Sequence, residues 1–338
     1  MSAMLRHAVS ASAPSRIDLA GGTLDIWPLS VMVPGAVTVN LAVELPATVT
    51  VVPRDDGRVA IVSRDRRRRS SRRLPLPATP ARGPLSLLWR IVASFAPADG
   101  ITVESEARAP AGAGLGGSST LAIAAAAALN RYTGAGLGGA ALLRRAMNLE
   151  AAEIRVPTGN QDYLAALHGG LSAYHHEVDG TRREKLAVPA GLEERLVLAY
   201  TGEPRQSGFS NWEMFRRYVE GDRRATARME EIGRIARELL IALREGDLDR
   251  TGRLIGEEGR LRYRLAPSVA TSALKRADAA ARRAGALGVK VCGAGGGGCL
   301  VAFAKEGRRE AVARAITSTG AHLLDARISR GGVRVTVG

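Results

Sequence analysis

Residues 109–120 read Ala-Pro-Ala-Gly-Ala-Gly-Leu-Gly-Gly-Ser-Ser-Thr and run without a break into an apolar segment ending at Tyr132. Glycines at 112, 114, 116 and 117 let the backbone take positive φ angles and bring its N–H groups up to an anion, which side chains there would obstruct. The segment after them is Leu, Ile and Ala with no Gly or Pro before Gly134, and it predicts a helix over 118–132. The positive end of that helix and its unpaired amides add to the pull on an anion, with Ser118 and Ser119 at its cap. The chemistry implied is phosphate binding, with Pro110, Gly112, Gly114, Leu115, Gly116, Gly117, Ser118 and Ser119 as the candidate contacts. Two familiar phosphate patterns do not fit. No Lys-Ser/Thr pair follows the last glycine, and Gly112-x-Gly114-x-x-Gly117 lacks the acidic residue a dinucleotide site needs about 20 positions on, since none lies between Glu106 and Glu150.

Acidic residues that could act on a phosphate or its acceptor follow. Glu150 and Glu153 fall on one face of a second helix expected over 137–154, and Glu153 reads as a solvated surface carboxylate. Asp162 differs, because it stands after the Pro157-Thr158-Gly159 turn and before the apolar run Tyr163–Leu167. A carboxylate entering a buried helix is costly unless it has a partner or a task. A second glycine cluster, Gly293-Ala294-Gly295-Gly296-Gly297-Gly298, lies between two short apolar strands. So much lost backbone entropy points to a close approach of this loop to a ligand or to another loop, with a tight inter-domain contact as the plainer explanation.

The elements that must position these groups fall into two sets. Strands are expected at 15–19, 36–45 and 47–53 with a bend at Pro46, then a helix over 84–96, a strand over 101–107 and the two helices above, an α+β pattern. After a turn-rich stretch over 156–170 and a strand over 171–176, the chain from 209 to 264 is dominated by amphipathic helices laced with Arg and Glu. The end reads helix 268–285, strand 288–292, strand 299–304, helix 307–319 and strands around 321–336. Two domains, 1–185 and 186–338, are expected.

Composition narrows the classes. The 338 residues are 46% hydrophobic and 4% aromatic, a globular balance, with no apolar run long enough to span a membrane and no signal peptide, so a cytoplasmic protein is expected. Cys292 and Cys299 lack zinc or redox spacing and read as buried thiols, and His175-His176 on a strand would face opposite ways. Net charge is +15, and Arg64–Arg73 holds seven arginines in ten residues. No aromatic residue interleaves them as a single-strand platform would require, so the block reads as a solvated loop. An overall basic field also favours an anionic substrate.

Three motifs in order resemble those of the GHMP kinases, the galactokinase, homoserine kinase, mevalonate kinase and phosphomevalonate kinase superfamily. They are Ala13-Pro14-Ser15-Arg16-Ile17-Asp18-Leu19-Ala20-Gly21-Gly22-Thr23-Leu24-Asp25, the loop 110–120, and 290–299. The resemblance implies a two-domain fold, an N-terminal ribosomal-protein-like α+β domain and a C-terminal ferredoxin-like α+β domain, acting with ATP and Mg²⁺. It assigns Ser118 and Glu150 to the metal and Asp162 to the attacking hydroxyl of the acceptor, with Arg16 compensating the charge of Asp162. Gly22, Thr23, Asp25, Gly295 and Gly296 become candidate acceptor contacts. The form Ala20-Gly21-Gly22-Thr23-x-Asp25, with Arg16 nine residues before Asp25, is most similar to the heptose 7-phosphate kinase and fucokinase branch, as is Gly159-Asn160-Gln161-Asp162. Gly117 stands where most members carry serine, and Ala20-Gly21-Gly22 replaces the usual Gly-Glu-His. The expected activity is phosphorylation of a hydroxyl of a sugar or sugar phosphate by a monomer or homodimer without nucleic-acid or membrane partners. A mevalonate-type kinase is the second expectation, and a basic nucleic-acid-binding protein and an NAD-dependent oxidoreductase are more distant ones.

Overall fold

The computed structural model describes residues 7–77, 83–204, 209–265, 269–293 and 295–338. Two long antiparallel strands, β1 (Val9–Ala20) and β2 (Val37–Arg54), form the spine of the first sheet. From Ala47 to Val51 the Val/Ala positions of β2 are buried and the Thr positions half-buried, the period of two of a sheet covered on one face. The Arg16–Ala20 end of β1 is buried throughout, because helices cover both faces there. Pro46 interrupts neither strand. The chain stays in β2 while the β1 register slips between Ala13 and Ser15, a bulge in place of the expected bend.

β3 (Arg58–Ser63), β4 (Arg68–Arg73), β5 (Gly100–Ala107), β6 (Leu171–Glu177) and β7 (Gly180–Leu186) extend this sheet. Its main path is β12-β1-β2-β5-β3-β4, with β6 on β2 and β7 on β6; β12 (Arg334–Val337) is the last strand of the chain. The second half therefore returns one strand to the first sheet, across the expected 185/186 boundary. The arginine block is not a loop. It is the turn and outer strand of the β3–β4 hairpin, with Arg72 lying 4.7 Å over the Trp89 ring. Arginine has modest strand propensity, but an edge strand lined with charge resists pairing with another chain.

One face of this sheet carries α2 (Ser86–Phe95), α3 (Gly117–Thr133), α4 (Gly139–Ile154) and α5 (Gln161–His168). Alanine fills the α3 contact, allowing close approach to β1 and β2. The second sheet has β8 (Leu196–Tyr200), β9 (Ala286–Val291), β10 (Cys299–Ala304) and β11 (His322–Leu324) in the antiparallel order β11-β8-β10-β9. Numbered from β8 that order is 4-1-3-2, the ferredoxin-like arrangement expected, with α9 (Ser272–Arg283) and α10 (Arg309–Thr317) on one face. α7 (Arg223–Glu245) and α8 (Leu248–Leu265) lie on the other and join the core of the first sheet. α8 sits unusually close to β9: a Cβ on Gly256 would lie 2.7 Å from Gly288 Cα, and one on Gly259 2.1 Å from Val289 O. Among the described residues no helix is long and apolar enough to cross a membrane.

Candidate active site

The phosphate loop joins β5 to α3, and Gly112, Gly114 and Gly116 hold φ of 71°, 78° and 74°. Gly116 is the N-cap of α3 in the left-handed conformation, and among the described residues no side chain bonds the first amides. Those N–H groups remain available to an anion, as the sequence implied. The two serines do not cap. They stand inside the first turn, and their hydroxyls bond Glu150, Ser119 Oγ donating to Oε2 over 2.9 Å.

Behind the loop lies the second glycine cluster. Cys299 N donates to Ala113 O over 2.8 Å, and a Cβ on Gly114 would be 2.3 Å from Cys292 O, so the two glycine loops touch backbone to backbone. Gly293 lines the cavity in front, whereas Gly295 packs on Val269 and Gly296 N donates to Val269 O over 3.0 Å. The expected acceptor contacts Gly295 and Gly296 are thus turned away from the cavity. Most of the glycine in this cluster serves loop-to-loop contact.

Arg16 and Asp162 meet as expected. Arg16 Nε donates to Asp162 Oδ1 over 2.7 Å, Nη2 lies 2.6 Å from the same oxygen, and Nη1 donates to Gly114 O over 2.7 Å. The guanidinium thereby ties the α5 carboxylate to the phosphate loop. Asp162 stays about a quarter exposed toward the cavity while Arg16 is buried.

Glu150 is buried and takes hydrogen bonds from Ser119, Ser118 and Tyr163, the Tyr163 hydroxyl donating over 2.6 Å. Burial pushes its carboxyl up, those hydroxyl bonds pull it down, and the nearby Asp162 charge pushes it up again; the net direction is upward. A desolvated carboxylate beside a serine hydroxyl and the amides of a phosphate loop is a hard-oxygen set that suits Mg²⁺, which is usually held by one or two carboxylates together with phosphate oxygens. Glu153, by contrast, is not a solvated carboxylate. It bonds Ser86 and, over 2.5 Å, Arg90, and so ties α4 to α2.

Asp25 occupies the turn after β1, where Thr23 takes a φ of 83°, a strained value for a β-branched residue. Its carboxylate is 5% exposed and accepts from Thr23 N (3.1 Å), Gln161 N (3.0 Å) and Gln161 Nε2 (3.2 Å). Burial, partly offset by those amides, pushes its pKa up to about 6. Gly159 leaves room for it: a Cβ there would be 1.8 Å from Asp25 Oδ2.

Four charges that the motifs did not single out lie under this turn. Lys290 Nζ is 2.9 Å from Asp18 Oδ2 and 3.2 Å from Glu258 Oε2, and it donates to Asp18 O over 2.8 Å. Arg262 donates to Glu258 Oε1 over 2.7 Å and to Gly22 O over 2.6 Å, with Asp18 Oδ2 3.6 Å away. All four are at most 3% exposed, and the set is electrically balanced. Glu258 and Arg262, four apart on α8, carry a helical salt-bridge spacing, but their tertiary partners were not legible.

One cavity of about 350 Å³ unites these groups. Every candidate except Gly295 and Gly296 lines it: the whole phosphate loop with Ser118, Ser119 and Glu150 at one end, Asp162 and Arg16 between, and Gly22, Thr23 and Asp25 at the other. Gln161 and Arg262 also line the Asp25 end.

Two α+β halves, the second ferredoxin-like, meet at a glycine-rich loop that borders one cavity. Residues 86–170 match the family model "GHMP kinases N terminal domain" and residues 239–322 match "GHMP kinases C terminal". A mevalonate kinase of Thermococcus gammatolerans is 32% identical over 249 residues, 70% of this chain and 69% of that one. The D-glycero-alpha-D-manno-heptose 7-phosphate kinase of Campylobacter jejuni is 25% identical over 339 residues, 96% of this chain and 98% of that one. The crystal structure of Lactococcus lactis galactokinase complexed with galactose superposes with a TM-score of 0.80 at 18% identity, covering 97% and 95% of the two chains. The chain belongs to the GHMP kinase family, and ATP is that family's phosphate donor.

Proposed function

We propose that this kinase transfers the γ-phosphoryl group of ATP to a hydroxyl of a sugar or sugar phosphate. The observation that carries the reading is Asp25, a buried carboxylate with no cation bonded to it among the described residues, held by amides and facing the cavity beside Asp162. Such a group suits the hydroxyls of a polyol, since charge-assisted hydrogen bonds are the strong ones. The loop amides of 112–117 hold the nucleotide phosphates, and Ser118 and Glu150 are the residues that would hold Mg²⁺ near them. Bound there, Mg²⁺ supplies compensation of phosphate charge.

Asp162 orients the acceptor hydroxyl and takes its proton as the acceptor oxygen bonds to the γ-phosphorus and the bond from that phosphorus to ADP breaks. Arg16 positions Asp162 against the phosphate loop and offsets charge that develops between them. Use of ATP fits a cytoplasmic enzyme. A mevalonate-type acceptor is the second reading, favoured by the identity to the Thermococcus gammatolerans enzyme. ATP consumption measured across free sugars, sugar phosphates and mevalonate decides: turnover of mevalonate alone defeats the sugar reading. Asp25→Ala should raise the acceptor KM by about 10-fold or more, the loss of a charge-assisted bond, with the KM for ATP unchanged.

A further inference from the structure

We propose that the acceptor is a neutral polyol, a free sugar without a phosphate or carboxylate group. This rests on the reading above, in which the Asp25 end of the cavity takes the acceptor. The hydrogen-bonding capacity left over at that end is of one kind. Gln161 gives its side-chain Nε2 to Asp25 Oδ1, which fixes the amide's orientation and leaves Gln161 Oε1 buried with no partner among the described residues. Asp18 Oδ1 is likewise buried without a partner, and both residues line the cavity. Asp25 accepts three N–H bonds across two oxygens and keeps a lone pair for a further donor.

The cationic groups there are already matched. Arg16 donates to Asp162 and to the Gly114 carbonyl, and Arg262 donates to Glu258 and the Gly22 carbonyl. Among the described residues lining this end, three carboxylates (Asp18, Asp25, Asp162) face two guanidiniums (Arg16, Arg262), while Glu258 and Lys290 cancel behind them. Unfilled acceptors and an excess of negative charge call for a ligand that donates and brings no negative charge. Sugar hydroxyls do both. An ionised phosphate monoester or carboxylate only accepts, and it would bring a like charge against Asp25 in a desolvated turn.

The test compares free aldohexoses and aldoheptoses with their own terminal phosphates, and with mevalonate, in ATP-dependent turnover. For the best sugar, kcat/KM should exceed that of its phosphate by about 10²-fold or more, within the roughly 10⁴–10⁵-fold that a site built to hydrogen-bond hydroxyls can reach against a mismatched ligand. Asp25→Asn, which removes the nearest like charge, should narrow that ratio about 10-fold or more. A preference for the phosphorylated sugar overturns this inference and leaves the sugar-kinase reading standing, and so does a ratio that Asp25→Asn leaves unmoved. Turnover of mevalonate alone, or of no sugar in either form, overturns both.

Discussion

Asp162 and Asp25 show at the residue scale how two neighbouring carboxylates are given different environments by different partners. Asp162 is paired with a guanidinium and open to the cavity, as the proton acceptor proposed above must be. Asp162→Asn keeps the size of the side chain and removes the charge that Arg16 matches. Turnover should fall by about 10²–10⁴-fold, the usual scale of general-base loss, with the KM for ATP little changed. Near-normal turnover would reduce Asp162 to a residue that starts α5. Asp18, the next carboxylate along β1, is engaged by Lys290 and could not take its place. Asp25 sits at the opposite extreme, buried and raised to about 6. A carboxyl raised above its unfolded value of 3.8 leaves the fold undisturbed below that value and costs stability as pH rises through its folded pKa. Asp25→Asn does not titrate, so its stability relative to the parent protein should rise by about 3 kcal/mol between pH 3.5 and pH 8, read by urea denaturation. A flat difference across that range would mean that Asp25 is not a strained carboxylate. The cost makes sense if the acceptor repays it, a local instability retained for binding.

At the scale of elements, the site depends on where α3, α4 and α5 begin and end. Glycine spacing and the alanine run made the loop and α3 legible, because both are local properties of the chain. Only the family resemblance joined Ser118 to Glu150, and nothing in the sequence brought Ser119 or Tyr163 to that carboxylate. Their meeting depends on α3 packing against α4, and Tyr163 reaches Glu150 from α5, contacts that no local pattern encodes. Glu153 was misread for the same reason, since the Arg90 that neutralises it arrives from another helix. The arginine block was misread because an edge strand draws its stability from the β3 ladder more than from the propensity of its own residues. Gly295 and Gly296 were assigned to the acceptor because a glycine's freedom does not say what comes close to it. If Ser118 and Glu150 serve Mg²⁺, Ser118→Ala and Glu150→Gln should each lower turnover and raise the Mg²⁺ concentration needed for half-maximal rate about 10-fold or more, with the far-ultraviolet circular dichroism unchanged. An unaltered Mg²⁺ dependence in both would remove them from the metal. Loss of helix signal would assign them to the α3–α4 contact instead.

For the whole molecule, the question is what holds two sheets in the register that closes one cavity. The glycine stripe on α8 brings that helix down on β9, and the approach places Glu258 and Arg262 beside Lys290, whose ammonium reaches Asp18 at the end of β1. The quartet thus joins the Gly22–Asp25 turn of the first sheet to the strand that leads into the second glycine cluster. Burial alone would push Asp18 up, but Lys290, Arg262 and Arg16 more than offset it, and the carboxyl is held below its ordinary value. Its contribution to stability is present above the unfolded value of 3.8 and is lost as pH falls through the lowered folded value. Removing one member strands the others. Lys290→Met leaves two buried carboxylates with one guanidinium and should cost about 3–5 kcal/mol, the penalty for breaking a buried pair from one side. Asp18→Asn made together with Lys290→Met restores the balance of charge, so the double variant should lose clearly less than the sum of the single losses, a coupling of about 1–3 kcal/mol in a double-mutant cycle. Its acceptor KM should nevertheless stay raised, because the Gly22–Asp25 turn has lost its tie to β9, while the KM for ATP, set on the far side of Asp162, should not move. Additive stability losses, or a double variant with an unchanged acceptor KM, would show that the two sheets are held in place by their apolar contacts and that the buried charges are incidental to catalysis.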